Sequence, residues 1–482
     1  MSLRSRALVA LSASALLAPT YVHAQETDIQ ALRREMQEMR RDYETRLQQL
    51  ENKLQAATAT QLQPSAGAQA PAPTSTATPA PNPAPASADS SGSLFGSPPT
   101  GADSPAYAPD TSAFRTPQAA ASSANAFNPA IGAVLTGQFS TQSGNPSRYR
   151  VRGFALGDEA QPAPRGFAIG ESEVNAQANV DQWLFGNLTV SFSQDNSVSV
   201  EEAFVQTTSL PYGFTAKGGR FFSGIGYLNE QHAHVWDFVD APLPYRAFLN
   251  NQYDDDGLQI RWLAPTDTFI ELGTEAYRGD SFPAGGNARH GVGTYTAFAH
   301  IGDDIGASSS WRAGLSYLNA ESRQRLTNSD ADTFSGAQKL GIFDLVYKWA
   351  PNGNPVERNL KLQSELFYGH NAGDFNLMPV TQRQWGWYAQ GVYQLMPRWR
   401  FGVRHDEARA TGALDAGSGF IATALDDGDH IDRRSSAMID YSTSEFGRFR
   451  FQYNFDDAGP RIDHQLFLQY TVSIGAHGAH QF

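Results

Sequence analysis

HQLFLQYTVSIGAHGAHQF, residues His464–Phe482, closes the chain. Leu466, Leu468, Tyr470, Val472, Ile474 and Ala476 fall on alternate positions, and the same register runs through Gly478 and His480 to Phe482. Gln465, Gln469, Thr471 and Ser473 fill the positions between, and Phe467 interrupts that polar face. A period of two sends the two sets to opposite sides of a strand. One apolar side, one polar side and an aromatic terminus predict the closing strand of a β-barrel in an outer membrane. A soluble sandwich also ends on amphipathic strands, so the rest of the chain must decide.

The amino-terminus points to the same compartment. Arg4 and Arg6 precede an apolar run from Ala7 to Leu17, and Val22-His23-Ala24 has the small-residue pattern of a signal-peptidase site. Residues 1–24 therefore predict a secretory signal peptide. That run is too short to span a bilayer as a helix, and no other stretch of about 18 apolar residues occurs. The chain contains no cysteine, which excludes disulfides, thiolate metal sites, a cysteine nucleophile and a lipoprotein anchor. A net charge of −13 argues against nucleic acid as a partner. The mean hydropathy of −0.42 suits a soluble protein, and equally a barrel in which only alternate residues face lipid.

Three further segments follow the leader. In residues 25–55, Ile29, Leu32, Met36, Met39, Tyr43, Leu47, Leu50 and Leu54 recur at steps of three and four, among mixed charges. This is the seam of a coiled coil with one stutter between Tyr43 and Leu47. About 26 residues span roughly 39 Å, a helix marginal alone and expected to self-associate, with a homotrimer as the expected state. Residues 56–126 are rich in Ala, Pro, Ser, Thr and Gly and predict a semi-extended spacer without a core. Residues 127–482 switch to aromatic-rich alternation, the barrel domain.

Alternation and turn residues mark sixteen strand candidates in that last segment. The clearest sets Phe449, Phe451, Tyr453 and Phe455 against Arg448, Arg450, Gln452 and Asn454. Long gaps fall only at odd positions, at 143–165, 223–255, 279–293, 321–338, 371–383 and 409–432, while the even gaps are short turns such as Met396-Pro397. A sandwich has no reason to alternate its connections this way. The fold class predicted is an all-β transmembrane barrel of about sixteen antiparallel strands, preceded by a short α-helical coiled coil. Sixteen strands leave an aqueous channel.

The gap from Ser223 to Asp255 is the longest and carries Trp236, Phe238, Leu243, Tyr245 and Phe248. A loop so apolar is expected to pack inside the barrel and constrict it. With it go the acidic residues Asp237, Asp240, Asp254, Asp255 and Asp256 of the expected constriction, and Arg246 as its basic residue. Arg400, Arg404, Arg448 and Arg450 share the inward register, because Phe401, Val403, Phe449 and Phe451 take the outward one. They predict a basic strip facing the acidic loop, which would impose a transverse field, or else ordinary lumen charges paired with Asp406, Asp440 and Asp456. Arg220 and Arg261 also point inward by register and join the expected pore lining. So do Arg312, Lys348 and Lys361, and Glu271, Glu275, Asp344 and Glu365 roughly balance them, so charge alone sets no selectivity.

His232 and His234 offer metal ligands together with Glu230 or Asp237, although an i,i+2 histidine pair more often simply packs and hydrogen-bonds. The run Asp254–Asp256 lacks the frame of a calcium loop. GxSxG, HExxH and P-loop patterns are absent from the sequence, so neither an enzyme nor a cofactor is expected.

With these features assembled, the chain resembles outer-membrane porins that carry an amino-terminal coiled coil, similar to the phosphate-selective porins and the DcaP-like dicarboxylate channels. The resemblance covers the signal peptide, heptad helix, spacer, sixteen strands and Phe482, and its sharpest local trace is Gly218-Gly219-Arg220-Phe221-Phe222. Lysines that would bind phosphate are not recognised at matching positions. The resemblance implies a trimer and passive diffusion of small hydrophilic solutes, here expected to be anionic. It also implies outer-membrane lipid around the barrel, the helix and spacer in the periplasm, and recognition of Phe482 by the barrel-assembly machinery. Two other readings compete: a receptor or channel for a metal such as zinc or another nutrient, and a structural tether of the outer membrane.

Overall fold

The structure, a computed structural model, describes residues 129–475 except 195–196, 286–290, 330, 415–424, 427 and 460. The expected signal peptide, coiled coil and spacer, together with His480 and Phe482, lie outside the described residues. Seventeen strand segments follow in order. They are β1 (Ala130–Gln142), β2 (Gly166–Ile169), β3 (Ser172–Asn179), β4 (Leu184–Phe192), β5 (Val198–Thr207), β6 (Phe214–Phe222), β7 (Asp254–Leu263), β8 (Phe269–Tyr277) and β9 (Thr294–Ile305). The second half comprises β10 (Ser309–Thr327), β11 (Asp332–Trp349), β12 (Asn359–Phe375), β13 (Met378–Met396), β14 (Trp399–Leu414), β15 (Asp432–Ser444), β16 (Gly447–Asp456) and β17 (Asp463–Gly475).

Both β2 and β3 pair with β1, so they are one strand interrupted at Gly170-Glu171, and the segments make sixteen strands. Ser172 Oγ accepts from Thr136 N (3.0 Å) across the interruption, which keeps the two pieces on the same partner. All pairings are antiparallel, and β17 returns to β1 from Gly132↔Gly475 to Gln142↔Gln465. The sheet is closed, without a free edge.

Alternation decides what faces where. Leu468, Tyr470 and Ile474 of β17 are exposed outward, as are Phe449, Phe451, Tyr453 and Phe455 of β16 and Leu345, Leu362, Phe401 and Val403 of the neighbouring strands. Their sequence neighbours point in and are buried: Gln465 on β17, Arg450, Gln452 and Asn454 on β16, Asp344 on β11, Glu365 on β12. Phe467, which broke the polar face of the last strand, is only 2% exposed and belongs to the inside.

The connections alternate as expected, with one correction. Segments 321–338 and 371–383 are not long loops; β10 to β13 run on through them to tight turns. The β12–β13 turn is Asn376-Leu377, both residues at positive φ (49° and 69°), between the paired Phe375 and Met378. That is the two-residue geometry whose twist matches antiparallel strands. Gly336 and Gly373 face each other across β11 and β12, where a Cβ on either would collide with the partner's backbone, so the glycines that read as loop are points of close strand approach.

Candidate functional site

The connection between β6 and β7 lies inside the barrel. Asn229 fastens its two ends, donating from Nδ2 to the carbonyls of Ser223 (2.8 Å) and Tyr253 (2.9 Å) and accepting from Tyr253 N (2.7 Å). A single helical turn at Ala233–Val235 and a short helix α1 (Leu243–Leu249) lie between, and α1 ends on Asn250 in the left-handed conformation (φ 55°). Every residue of α1 is buried. Phe248 packs on Phe367 of β12 and, edge-on, on Phe154 of the first long loop (5.4 Å between centroids). Ile225, Leu228, Trp236 and Tyr253 join Val151, Phe154 and Leu156 in one apolar cluster. An apolar loop finds its core inside the barrel because lumen and loop supply both halves of it.

The first long loop is an unforeseen partner in this cluster. Arg152 is held by Asp432 (backbone N to Oδ2, 2.7 Å), and Gly153 O accepts from Gln382 Nε2 (2.7 Å). Leu156 N donates to Asn328 Oδ1 (3.2 Å). Its sequence is rich in Gly, Arg and Pro and carries no period that would signal burial.

Polar groups of the β6–β7 loop reach strands all around the wall. Asp237 pairs with Lys361 of β12 (3.2 Å) and Arg400 of β14 (3.0 Å). Asp240 pairs with Arg404 (2.9 Å) and Arg434 (2.9 Å) and accepts from Gln452 (2.7 Å) and Asn454 (3.0 Å). Glu365 accepts from Tyr227 N (3.1 Å), Leu228 N (3.1 Å), Tyr245 OH (2.9 Å) and Tyr388 OH (2.5 Å). Gly226 sits against that carboxylate at φ 70°, where a Cβ would meet Glu365 and Tyr245, so the approach needs glycine. Burial pushes the Asp237 and Asp240 carboxyls up, but Lys361 and Arg400 around the first and Arg434 and Arg404 around the second outweigh it. Both are held below the usual carboxylate range.

The arginines expected as a strip thus meet the loop directly. Arg400 and Arg450 share Asp440, and Arg404 takes Asp240 and Asp406. Arg448 donates to His234 O (2.7 Å), while its Nε has no hydrogen-bond partner among the described residues. Arg246 on α1 joins Asp240 (3.4 Å). Arg261 bridges Glu230 of the loop and Glu271 of β8 (3.4 Å).

Two expectations need correcting. Arg220 pairs with Asp256 (2.9 Å) and both are part-exposed, while its neighbour Phe221 is fully buried, so the register turns Arg220 away from the lumen. Gly219, at φ 129° against Ala203, is the irregular position beside it. Asp254, Asp255 and Asp256 are not loop residues; they open β7, and strand alternation separates them. Asp255 accepts from Gly279 N (2.8 Å) and Asp280 N (3.0 Å), which fixes the next connection.

Arg434, Lys361, Glu365 and Asp406 were overlooked as partners of the loop. Their inward register was visible, but nothing in a linear sequence says which rung a loop will meet. Opposite them, the inward residues Asn175, Gln177, Asn187 and Gln206 of β3 to β5 are only half-buried, so the interior along this wall is less filled. His232 and His234 lie at the head of this lane, against Glu173 of β3 and Glu201 and Glu202 of β5. Burial lowers the His232 pKa, but the carboxylates of Glu201 and Glu173 prevail and raise it well above its ordinary value.

An uncharacterised protein of Aquifex aeolicus (strain VF5) is 30% identical over 348 residues, 66% of this chain and 70% of the relative. No family model matches the chain. Among solved structures, the outer-membrane channel DcaP of Acinetobacter baumannii is similar at a TM-score of 0.46 and 12% identity, over 72% of this chain and 97% of that one. Salmonella typhi OmpF in complex with daunomycin is similar at 0.45 and 11% identity, over 73% and 99%.

Proposed function

The chain belongs to one family with the Aquifex aeolicus protein, and from its closed barrel with apolar outside and charged inside we propose an outer-membrane porin, a passive channel for small hydrophilic solutes. The inverted polarity carries this reading. Arg434, Arg450, Asp440 and Glu365 lie inside the barrel, each buried but matched by an opposite charge or a hydrogen-bond donor, and lipid is the solvent that tolerates Leu345, Leu362, Val403 and Phe451 on its surface. The β6–β7 loop narrows the lumen, and the half-buried lane along β3 to β5 is the path that remains. Arg448, a wall arginine that donates to the His234 carbonyl, is the residue on which we rest an anion preference. The barrel acts as a homotrimer in outer-membrane lipid, with the amino-terminal helix in the periplasm and Phe482 read by the barrel-assembly machinery.

Planar-bilayer recording of the purified protein tests the channel. Stepwise conductance is expected, and membranes that stay silent at saturating protein would sink the reading. In a salt gradient the reversal potential should shift toward cations in Arg448→Ala.

A further inference from the structure

The cluster at His232 and His234 has a geometry that ion pairing alone does not explain. The sequence suggested Glu230 or Asp237 as companions of the two histidines. Glu230 instead goes to Arg261, and Asp237 to Arg400 and Lys361. In their place β3 supplies Glu173 and β5 supplies Glu201. His232 Nδ1 lies 3.1 Å from Glu173 Oε2 and 3.4 Å from Glu201 Oε2, and His234 Nδ1 lies 3.2 Å from Glu173 Oε1. One ligand atom from each of Glu173, His232 and His234 falls within 4.8 Å of the others.

Despite these short separations, His232 Nδ1, Glu173 Oε2 and Glu201 Oε2 are buried without a hydrogen-bond partner. The atoms are near one another yet not aimed at one another. That is how donors stand when they converge on a common point. A tetrahedral zinc with ligands at about 2.0–2.1 Å spaces neighbouring donors about 3.3–3.5 Å apart, close to the separations here. The other nitrogen of His232, Nε2, faces Glu202 Oε2 at 3.3 Å, which is the carboxylate support that orients a metal-binding imidazole. Phe222 meets the His232 ring edge-on at 5.4 Å, and Arg448 holds the His234 carbonyl, so the His232 ring and the His234 backbone are positioned before any ion arrives.

We propose that His232, His234, Glu173 and Glu201 bind one first-row divalent cation of the zinc type, with Glu202 orienting His232. Two imidazoles with carboxylates favour such an ion over calcium or magnesium, which take oxygen ligands. The ion ties the β6–β7 loop to the β3–β5 wall at the head of the less filled lane. Because the site stands on ligand geometry, it does not depend on whether solutes cross the barrel.

Titration calorimetry of the EDTA-treated full-length protein in detergent with zinc chloride tests this. One zinc per chain is expected, with affinity falling at least tenfold in His234→Ala and in Glu173→Gln and unchanged in His405→Ala, a histidine of the outer face. The shift in gel mobility between unheated and heated samples reports whether each variant is folded. X-ray absorption at the zinc edge of the loaded wild-type protein should show two imidazole nitrogens, which keeps the test open if a variant fails to fold. Folded wild-type protein that takes up no stoichiometric zinc, variants that bind as tightly as it does, or an oxygen-only shell would each overturn the site. Conductance of the same EDTA-treated sample is read separately, so a silent barrel that binds zinc and a conducting barrel that does not are told apart.

Discussion

Asp240 concentrates more of the structure on one side chain than its place in an irregular loop suggests. Its carboxylate faces Arg404 and Arg434, both buried, and accepts from Gln452 and Asn454. Removing one partner of a buried ion pair strands the other at about 3–5 kcal/mol. Asp240→Ala should therefore release the loop, seen as larger single-channel conductance with a lowered melting temperature. Unchanged conductance and melting would show that the latch is not where we place it. The pH dependence has a definite sign. Asp237 and Asp240 titrate lower in the folded protein than in the unfolded chain, so their stabilisation is complete above the ordinary carboxylate value of about 3.9 and fades only as pH falls below it. Conductance should stay constant from neutrality to about pH 4.5 on this account. A rise in conductance within that window would argue against these latches.

Elements explain which parts of the molecule could be read in advance. A strand announces itself by its own period, so its outward and inward faces were legible even where Phe467 broke the pattern. Hairpin ends were not: Asn371 to Phe375 reads as a polar, glycine-bearing loop, yet β12 and β13 continue through it because each strand supplies the other's ladder. The site was half legible. Both histidines stood out, whereas Glu173 and Glu201 lie on β3 and β5, which the loop meets only by folding inward from β6. Strand length has its own consequence. The 19 residues of β13 extend about 63 Å, or roughly 48 Å along the axis at a usual tilt, against an apolar band of about 25 Å, so this side stands well clear of the membrane. Helix α1 rests against the same strand. A Cβ built on Gly386 of β13 lies 3.3 Å from Pro244 Cβ, a few tenths of an ångström inside the spacing of about 3.5–4.5 Å of a disulfide, so the pair closes with a small shift of the loop. In a chain without cysteine, Pro244→Cys with Gly386→Cys should oxidise to one intramolecular disulfide and leave conductance unaltered, since the loop is already docked. A conductance that changes on reduction would mean that the loop moves in normal operation.

For the whole molecule, closure through β1 and β17 makes each barrel complete in itself. The coiled coil expected from residues 25–55 is proposed to serve association and not the pore. Deleting residues 25–55 should leave stepwise conductance intact while reducing the trimer fraction in light scattering; loss of all conductance would assign the helix to the channel. The seam also has a consequence for biosynthesis. Gln142 is paired with Gln465, across almost the entire barrel domain, so the ladder that seals the sheet joins the first strand made to the last. Closure cannot begin while the ribosome is still at work. Until then two unpaired edges stay exposed to other chains. Sealing is therefore a late step that needs β17 in hand, and a premature stop inside β17 would yield an open sheet prone to aggregation instead of a smaller pore.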